Sequence, residues 1–419
     1  MGNRIRQQTI AIVGAGIGGL AAAALLAAQG HEVQIFDQFD SPRPVGSGLV
    51  IQPVGLDVLD RIGAGAAVRA RGAMIERMLG FEVERGARVL DVTYIHRGRG
   101  RAGLGVHRAS LFDALWQAAA RAGVRVHLSA RVLAAPLHQT TAGHPKRSLL
   151  LEGGQPQGPF DLVIDASGAR STLSDLAGRM LPYGAIWGTV PWPTATDLPP
   201  DQLSQRYLGA RRMAGVLPIG CLPGSSRRLA AIFWSMPLAE LDAWAGRDLA
   251  EWKAQVTGLW PQMAGFLPGI GSVAEMTAAR YQHATLRWPY QPALVFIGDA
   301  AHRASPQLGQ GANMALLDAA ALALAIAKAE RADALALYAH MRRWHVRLYQ
   351  GMSAAFTPQY QSDSRLLPIL RDRILAPLST IGLVRGILAH LVSGDLIPPI
   401  AGEWLNSAPP GPRPDQTAR

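Results

Sequence analysis

The N-terminal part of the chain alternates short apolar runs with an alanine-rich stretch. Thr9–Val13 is apolar and β-branched, a pattern typical of a buried parallel strand. Leu20–Gln29 is rich in alanine and leucine, which favour a helix, and Gly30 is typical of a helix end. Val33–Phe36 is a second apolar run. The pattern predicts a strand–helix–strand unit of the parallel kind.

The rest of the chain divides into regions of different periodicity. Two further helices are predicted, at Leu111–Ala122 and Met314–Ala329. Three further buried strands are predicted at Val124–Leu128, Leu162–Ile164 and Leu294–Ile297. From about 175 to 285, prolines, tryptophans and alternating segments such as Leu229–Trp234 predict an antiparallel sheet in a second domain. Residues 335–400 are predicted to be helical, and 408–419 to form a proline-rich tail.

The composition is that of a globular protein, with 49% hydrophobic and 17% charged residues. The formal charge of +11 does not arise from a basic helix of nucleic-acid-binding type, so no nucleic-acid partner is expected. Cys221 is the single cysteine, which excludes an intrachain disulfide and favours a cytoplasmic location. Gln7–Gly30 is uncharged and superficially resembles a signal peptide or membrane span, but glycines interrupt it at the spacing of a phosphate-binding turn.

The turn after the first predicted strand has the spacing G-x-G-x-x-G. In such a turn Gly14 allows the tight bend, Gly16 lets backbone N–H groups approach a pyrophosphate, and Gly19 lets the helix pack closely on the sheet. The helix N-terminus adds partial positive charge. Asp37 follows Gly19 by 18 residues and ends the next strand, where it can accept hydrogen bonds from ribose hydroxyls. The sequence therefore predicts a dinucleotide-binding turn.

A second match to this spacing runs from Gly98 to Gly103. It follows a strand-like run, Val89–Ile95, but no helix is predicted before about Ser110. We predict a hairpin loop here, and hence one dinucleotide domain rather than two.

Another glycine-and-acid pattern lies far downstream. The apolar run Val295–Ile297 brings Asp299 to the carboxyl end of a strand, where ligands bind in open α/β sheets. Pro306 and a glycine-rich loop at 309–313 lead into the helix predicted near Met314. The N-terminus of that helix can stabilise negative charge on a bound ring. By spacing alone, an ordinary strand–loop–helix corner remains an alternative.

Taken in order, these motifs resemble those of the class A, para-hydroxybenzoate hydroxylase-type flavin monooxygenases, a group that includes salicylate hydroxylase and the ubiquinone-biosynthesis hydroxylases. Gly298-Asp299 resembles the family's GD motif, whose acid binds the flavin ribitol. The 309–313 loop resembles the segment beside the isoalloxazine ring, 46–53 the mobile-flavin loop, and 107–111 the segment whose arginine reaches the cofactor. The resemblance implies FAD, held by Gly14, Gly16, Ile17, Gly18, Gly19, Asp37, Arg43, Gly48, Arg108, Asp165, Gly168, Asp299, Pro306, Gly309, Gly311, Ala312 and Asn313.

The chain departs from the family pattern in its middle motif, which usually reads Asp-Gly-x-x-Ser. Here Ser167 occupies the place of the acid and Asp165 lies two residues earlier. Gly168, Arg170 and Ser171 of the pattern remain, so the predicted fold is unaffected. Because the family's acid serves both FAD and NAD(P)H, the usual route for handling the nicotinamide becomes doubtful.

The resemblance also implies an activity. NAD(P)H reduces the FAD, and a flavin hydroperoxide then transfers one atom of O₂ to an aromatic or otherwise activated apolar substrate. An FAD-dependent reductase or dehydrogenase without oxygen insertion, similar to the geranylgeranyl reductases, is the main alternative. A disulfide-type flavin reductase does not fit the single cysteine, and the tryptophan motif of the flavin-dependent halogenases is missing. A flavin-binding interaction module is a further alternative. No general base or other catalytic residue is identified.

The implied fold class is α/β: a Rossmann-type FAD-binding domain with an interleaved β-rich substrate domain and a helical C-terminal region. The FAD-binding domain is assigned to 1–75, 100–175 and 285–335, the substrate domain to 76–99 and 176–284, the C-terminal helices to 336–405 and the tail to 406–419.

The substrate, a small aromatic or lipophilic molecule, is expected between the flavin and the 175–285 sheet. Its candidate lining residues are Tyr207, Met213, Trp234 and His283, although residues of these types more often lie in a core or at a surface. Arg365–Pro399 alternates apolar runs with basic residues, a pattern that fits a membrane surface as well as helices packed over the FAD domain. Peripheral membrane contact is therefore a second expectation for localisation, and no metal site is expected.

Overall fold

A computed structural model describes residues 7–42, 46–95, 98, 100–139 and 144–400, apart from the side chains of Gln139 and Arg331. Its strands are, in chain order, β1 Thr9–Val13, β2 Glu32–Phe36, β3 Gly48–Ile51, β4 Ala73–Ile75, β5 Arg77–Glu82, β6 Arg88–Thr93, β7 Gly103–His107, β8 Arg125–His127, β9 Val132–Ala134, β10 Leu137–Gln139, β11 Pro145–Leu151, β12 Gln157–Phe160, β13 Leu162–Asp165, β14 Arg179–Pro191, β15 Gln202–Leu208, β16 Arg212–Gly220, β17 Leu229–Pro237, β18 Thr277–Thr285, β19 Tyr290–Gln291, β20 Leu294–Phe296 and β21 His302–Arg303.

The α-helices are α1 Ile17–Ala28, α2 Pro53–Ile62, α3 Gly65–Arg71, α4 Arg108–Arg121, α5 Leu238–Asp242, α6 Leu249–Leu259, α7 Gly311–Lys328, α8 Arg331–Tyr360, α9 Leu366–Leu370, α10 Ala376–Leu378 and α11 Gly382–Ser393. A π-helical turn, Arg371–Leu375, joins α9 to α10.

The first sheet has the order β19-β20-β13-β1-β2-β8, and all its neighbours pair in parallel except β19. Its central strands β1, β13 and β20 are short apolar runs that are buried on both faces, as expected for a parallel sheet with both faces covered. Helices α1, α4 and α7 pack together over this sheet. The predicted strand–helix–strand unit is confirmed, with the Rossmann-type arrangement that follows from it.

Three helices begin three residues earlier than the periodicity predicts, and one of them is α4, which begins at Arg108 rather than Leu111. The other two are α1, which begins at Ile17 rather than Leu20, and α7, which begins at Gly311 rather than Met314. In α1 and α7 the first turn is rich in glycine, alanine or asparagine, which carry little periodic signal. Both N-termini therefore lie closer to the predicted cofactor loops than the sequence indicates.

The second sheet has the order β21-β18-β14-β17-β16-β15-β5-β6 and is antiparallel except between β15 and β5. The antiparallel sheet predicted for 175–285 is confirmed, and β5 and β6 join it from the 76–99 segment. Helices α5 and α6 cover one face with a core that contains Trp244, Trp252 and Trp260. The other face approaches β3 of the FAD-binding region, because Gly48 lies directly against Ile219 of β16.

The hairpin predicted around Gly98–Gly103 is wrong. Strand β6 before it pairs with β5 in the eight-stranded sheet, whereas β7 after it pairs with β3 and β4 in a separate three-stranded sheet. The segment crosses between two sheets, and Gly103 begins a strand instead of a helix. The absence of a second dinucleotide turn at this position is consistent with that geometry.

The described part of the C-terminal region is helical, as predicted for 335–400. Helix α7 is long and apolar enough to span a membrane by length and composition, but 67% of it is buried in the protein, where it packs against α1, α2 and α8. The predicted tail lies outside the described residues.

Candidate functional site

A cavity of about 580 Å³ opens at the carboxyl ends of β1, β2, β13 and β20. This edge of an open α/β sheet is where such folds bind ligands. Ten of the residues assigned to the cofactor from the sequence line it, namely Gly14, Gly16, Ile17, Gly18, Asp37, Arg108, Gly168, Asp299, Gly311 and Ala312.

The glycine turn after β1 forms the floor of the cavity. Gly14 has φ +99°, and a Cβ placed on it would lie 2.7 Å from the Ala166 carbonyl oxygen. A Cβ on Gly19 would lie 1.9 Å from the Gly14 carbonyl oxygen, so only glycine lets α1 approach the turn. A Cβ on Gly16 would lie 4.0 Å from its nearest protein atom, the Ala166 carbonyl oxygen. Gly16 is therefore sterically free on the protein side and meets only the cavity.

Asp37 stands at one end of the cavity, just after β2. Its Oδ2 accepts a hydrogen bond from the Ala15 backbone N–H at 2.6 Å, and its Oδ1 accepts one from the Phe39 N–H at 3.1 Å. The carboxylate is thus held against the glycine turn with its remaining lone pairs directed to the cavity. This arrangement fits a ribose diol and disfavours a phosphate at the same place.

Asp299 and Arg108 lie at the other end of the cavity. Burial raises the pKa of Asp299, although His302 and Arg108 oppose the shift. Burial also lowers the pKa of Arg108, while Asp299 and Tyr281 raise it. Both side chains are open to the cavity yet closely surrounded by protein. Within the described ranges neither charged end has a hydrogen-bond partner, so both remain available to a polar ligand.

Asn313, in the first turn of α7, connects that helix to the loop that begins with β3. Its Oδ1 accepts from the Gln52 backbone N–H at 2.8 Å, and its Nδ2 donates to the Gly309 carbonyl at 3.0 Å. The Gln52 side chain in turn accepts from the Tyr94 hydroxyl at 2.6 Å. Asn313 is fully buried and positions the loop; it does not line the cavity.

Asp165 lies behind the cavity wall instead of on it. Its Oδ1 accepts from the Ser167 backbone N–H at 3.0 Å and from the Ser167 hydroxyl at 2.6 Å, and its Oδ2 accepts from the Ser171 hydroxyl. Burial raises the pKa of Asp165, and these hydrogen bonds oppose the shift. Asp165 therefore shapes the turn that brings Ser167 and Gly168 to the cavity.

Other residues assigned to the cofactor support the cavity from outside it or cannot be placed. Gly48 is buried against Ile219, Pro306 begins a short 3₁₀ turn, and Gly309 has a left-handed φ of +60°. Arg43 lies outside the described residues. The wall also contains aromatic and basic residues that the sequence did not assign to the cofactor: Phe39, Phe112, Arg131 and Arg170. Two of them carried a usable signal. Phe112 lies one helical turn after Arg108, and Arg170 belongs to the retained part of the middle motif.

The four substrate candidates do not share one wall. Met213 and Tyr207 lie on the sheet face that approaches the FAD-binding region, in a cluster with Phe233. Tyr207 is buried there, and its ring centroid lies 5.2 Å from that of Tyr360. Trp234 packs in the core under α6 on the opposite face, because neighbouring residues of a strand point to opposite sides. Its assignment as a lining residue is corrected accordingly.

His283 belongs to β18, and its Nε2 lies 3.4 Å from the Ser353 hydroxyl of α8. Burial lowers the pKa of His283.

Trp187 and Tyr281 form an aromatic pair that the sequence did not single out. Trp187 Nε1 donates to the Tyr281 hydroxyl at 2.9 Å, and the Trp187 ring lies 4.6 Å from that of Phe233. Burial raises the pKa of Tyr281 to about 12, and the charge of Arg108 opposes the shift. The pair thus stands next to Arg108, on the sheet face that approaches the cavity. Among the residues that the structure describes, no cluster of His, Cys, Asp and Glu could hold a metal ion.

Comparisons with known proteins agree with this geometry. The family model described as an FAD binding domain matches residues 7–349. A probable 2-heptyl-3-hydroxy-4(1H)-quinolone synthase of Rhodococcus erythropolis is 28% identical over 406 residues, which cover 94% of this chain and 98% of that protein. The 6-hydroxynicotinate 3-monooxygenase of Bordetella bronchiseptica is 27% identical over 325 residues, covering 75% and 81%.

Among solved structures, a variant of HpxO from Klebsiella pneumoniae in complex with FAD superimposes with a TM-score of 0.76 at 20% identity. The match covers 93% of this chain and 100% of that one. Fold, glycine turn and acid corner therefore agree with the family match over most of the chain. The chain belongs to the FAD binding domain family, within the class A flavin monooxygenases, and its cofactor is FAD.

Proposed function

We propose that this chain hydroxylates a small aromatic compound, using NAD(P)H as the reductant. The balanced reaction consumes the substrate C–H, O₂, NAD(P)H and one proton, and yields the C–OH product, NAD(P)⁺ and water. The observation that carries the proposal is one continuous cavity with Asp37 and the glycine turn at one end and Arg108 and Asp299 at the other. Its volume and the polar groups that line it suit a dinucleotide whose flavin end meets the substrate domain.

The residues fit the parts of FAD in order. Asp37 would bind the adenosine ribose, the N–H groups at Gly16 and the start of α1 the pyrophosphate, and Asp299 the ribitol. Arg108 and the N-terminus of α7 would flank the ring, where their positive potential stabilises negative charge. Bound FAD supplies hydride acceptance and the activation of O₂, while the protein orients the substrate and excludes water.

The aromatic face formed by Trp187, Phe233 and Tyr281 supports a flat substrate. Aromatic rings pack well on such a surface, and the Tyr281 hydroxyl and Arg108 provide two polar groups to fix the orientation. The similar proteins named above act, by their names, on a quinolone and on a hydroxynicotinate, which are also small aromatic rings.

NAD(P)H would act from outside this cavity. The structure describes a single βαβ dinucleotide turn, and the cavity behind it is assigned to FAD. At the middle motif, Ser167 stands at the position where the family has its acid. The nearby carboxylate of Asp165 accepts a hydrogen bond from the Ser167 hydroxyl and lies behind the cavity wall, so it is not available to NAD(P)H. We expect the basic wall residues Arg131 and Arg170 to attract the anionic co-substrate instead.

The test is a screen for substrate-stimulated NAD(P)H oxidation under ¹⁸O₂ with the FAD-loaded protein. A hydroxylated product with one ¹⁸O atom for each NAD(P)H consumed supports the proposal. A product that forms equally well without oxygen and contains no new oxygen atom would establish the reductase alternative. NAD(P)H oxidation that no compound of a broad aromatic panel stimulates would contradict the proposed substrate class.

A further inference from the structure

The segment Leu366–Ser393 forms two apolar helical arms that we name the apolar hairpin. The first arm is α9, the π turn and α10; the second is α11, bent by 109° from the first. The hairpin displays large aliphatic side chains that are between 41% and 77% exposed, namely Leu366, Ile369, Leu370, Ile374, Leu378, Ile381, Leu383 and Ile387. So dense a group of exposed aliphatic residues marks an interaction surface.

These side chains form stripes at helical spacing. In the first arm, positions 366, 369, 370, 374 and 378 are three or four residues apart and share one face. In α11, Leu383 and Ile387 are four residues apart and face outward, whereas Leu391 and Val392 are buried. Each arm therefore has one side packed on the protein and an apolar stripe on the other side that is turned to solvent.

The inner face of the hairpin is firmly held, so the exposed stripes are not the result of a frayed end. Arg371 is 1% exposed and binds Asp372 at 2.7 Å, the Gln359 carbonyl at 2.9 Å and the Gly209 carbonyl at 3.1 Å. Asp372 also pairs with Arg85 of the substrate sheet region at 2.5 Å. This buried network fixes the orientation of the outer stripe relative to the rest of the protein.

The charges of the hairpin select its partner. Its only acid is Asp372, which is buried and paired, whereas Arg373 is exposed within the apolar stripe and Arg385 is half-exposed on α11. Arg365 adds a further exposed cation at the first residue before α9. A second copy of this surface would bring like charges together, whereas an anionic bilayer would neutralise them.

We propose that the apolar hairpin docks this protein peripherally on an anionic membrane surface. Helix α11 has 12 residues, too few to cross a bilayer, and the sharp bend prevents both arms from forming one straight span. Helices of this kind lie in the interfacial plane, with aliphatic side chains in the acyl boundary and arginines at the headgroups.

Docking would bring lipid close to the cofactor region. Gln310, the residue before α7, donates from Nε2 to the Val392 carbonyl of α11 at 3.0 Å. The outer face of α11 is thus one helix layer from the loop that precedes α7. This inference does not depend on the proposed function, but such proximity would suit a lipophilic substrate that arrives from the bilayer.

Co-sedimentation of the FAD-loaded full chain with sucrose-loaded vesicles tests the inference. The probes are phosphatidylcholine vesicles with and without phosphatidylglycerol. We expect the protein to pellet with the anionic vesicles at low salt and to bind neutral vesicles less. The double variant Leu383→Ser, Ile387→Ser should reduce the partition coefficient about tenfold or more, because two aliphatic side chains lose their burial in lipid. Arg365→Gln, Arg373→Gln and Arg385→Gln together should abolish the preference for anionic lipid.

The matched control is Leu133→Ser with Leu137→Ser, two leucines of similar exposure (44% and 43%) on β9 and β10. It should bind vesicles like the unaltered protein, and thermal unfolding and flavin content should be unchanged in all variants. Failure of the unaltered chain to pellet with anionic vesicles overturns the inference, as does an equal loss in the hairpin and control variants. A concentration-dependent dimer that only the hairpin variant disrupts, without vesicle binding, would identify a second copy as the partner.

Discussion

Asp318 and Arg342 form a buried ion pair behind the cavity, with Asp318 Oδ1 and Arg342 Nε 2.8 Å apart. The other carboxylate oxygen of Asp318 accepts from the Gly298 backbone N–H at 2.9 Å and contacts His302 Nε2 at 2.6 Å. Since Gly298 and His302 flank the short turn that carries Asp299, the pair fixes the corner of the cavity without touching it. Asp318 is thus a positioning residue for the cofactor.

Asp318→Ala should lower the free energy of unfolding of the apo protein by about 3–5 kcal/mol, because it leaves Arg342 buried without its counter-ion. FAD affinity should fall as well, since the turn that carries Asp299 loses two hydrogen bonds. Urea unfolding and flavin titration measure the two effects. Asp242→Ala, which breaks an exposed pair with Arg280, is the control and should cost at most about 1 kcal/mol. Equal losses in both variants would contradict the special weight given to the buried pair.

His345 gives the stability of the protein a pH dependence. Its Nε2 lies 2.8 Å from the Gly394 carbonyl, and burial, with Arg342 second, lowers the pKa of His345 to about 3. As the pH falls, His345 therefore binds a proton near pH 6.5 in the unfolded chain but only near pH 3 in the folded chain. Stability should consequently decrease as the pH falls from about 6.5 towards 3, by up to about 1.4 kcal/mol per pH unit from this group.

His345→Gln should remove that slope while preserving a donor for the Gly394 carbonyl. Urea unfolding at a series of pH values between 4 and 7 is the measurement, with the exposed His138→Gln as the control that keeps the slope.

Asp318 adds a separate loss of stability at lower pH. Burial alone would raise its pKa, but His302 and Arg342 outweigh burial and hold the pKa well below its ordinary value. The stability from Asp318 is thus fully present above about pH 4 and lost below it.

Tyr281→Phe should affect the use of the substrate more than the binding of FAD, on the proposed function. The change removes the hydroxyl that accepts from Trp187 Nε1 and stands near Arg108, so the aromatic wall loses its polar group. We expect KM for the aromatic substrate to rise about 3- to 10-fold, the effect of one lost hydrogen bond, with FAD affinity changed less than twofold. Steady-state kinetics and flavin titration measure both quantities.

Trp234→Phe is the contrasting variant, because Trp234 packs under α6 on the far face of the same sheet. It should lower thermal stability and leave KM unchanged. A rise in KM for Trp234→Phe but not for Tyr281→Phe would place the substrate on the face under α6 and contradict the proposed position beside Tyr281.

The pattern of apolar and polar residues was sufficient to predict the parts of this fold that depend on residues close together in the sequence. The β1–α1–β2 unit and its glycine turn follow from periodicity and spacing, because each element is buried in a characteristic way. The same is true of Asp37, whose position after a buried strand places it at the cavity.

Features that depend on distant pairing could not be obtained this way. Strand β6 looked like half of a hairpin with β7, but its partner β5 lies on the other side of it in sequence. The alternation of Phe233 and Trp234 predicted two faces without saying which one the flavin domain would cover. Asp165 carried the chemistry of a ligand, and only its contacts with Ser167 and Ser171 show that it supports the wall from behind.

Gly16 and Gly19 belong to one motif, yet substitutions at the two positions should have opposite kinds of effect. A Cβ on Gly19 would lie 1.9 Å from the backbone oxygen of Gly14, so Gly19→Ala must displace α1 from the turn. We expect a loss of about 1–3 kcal/mol or more in the free energy of unfolding of the apo protein, the cost of an overpacked contact. Reduced FAD binding would follow from that displacement.

Gly16→Ala should instead leave the apo protein within about 1 kcal/mol of its original stability, because the new methyl meets no protein atom closer than 4.0 Å. The methyl would occupy the space through which the pyrophosphate approaches the backbone, so FAD affinity should fall about 10- to 100-fold. Urea unfolding of the deflavinated protein and flavin titration separate the two variants. Gly258→Ala in α6, where a Cβ meets open space, is the control and should keep full affinity. If Gly16→Ala binds FAD normally, the cofactor does not lie along this turn, and the assignment of the cavity is wrong.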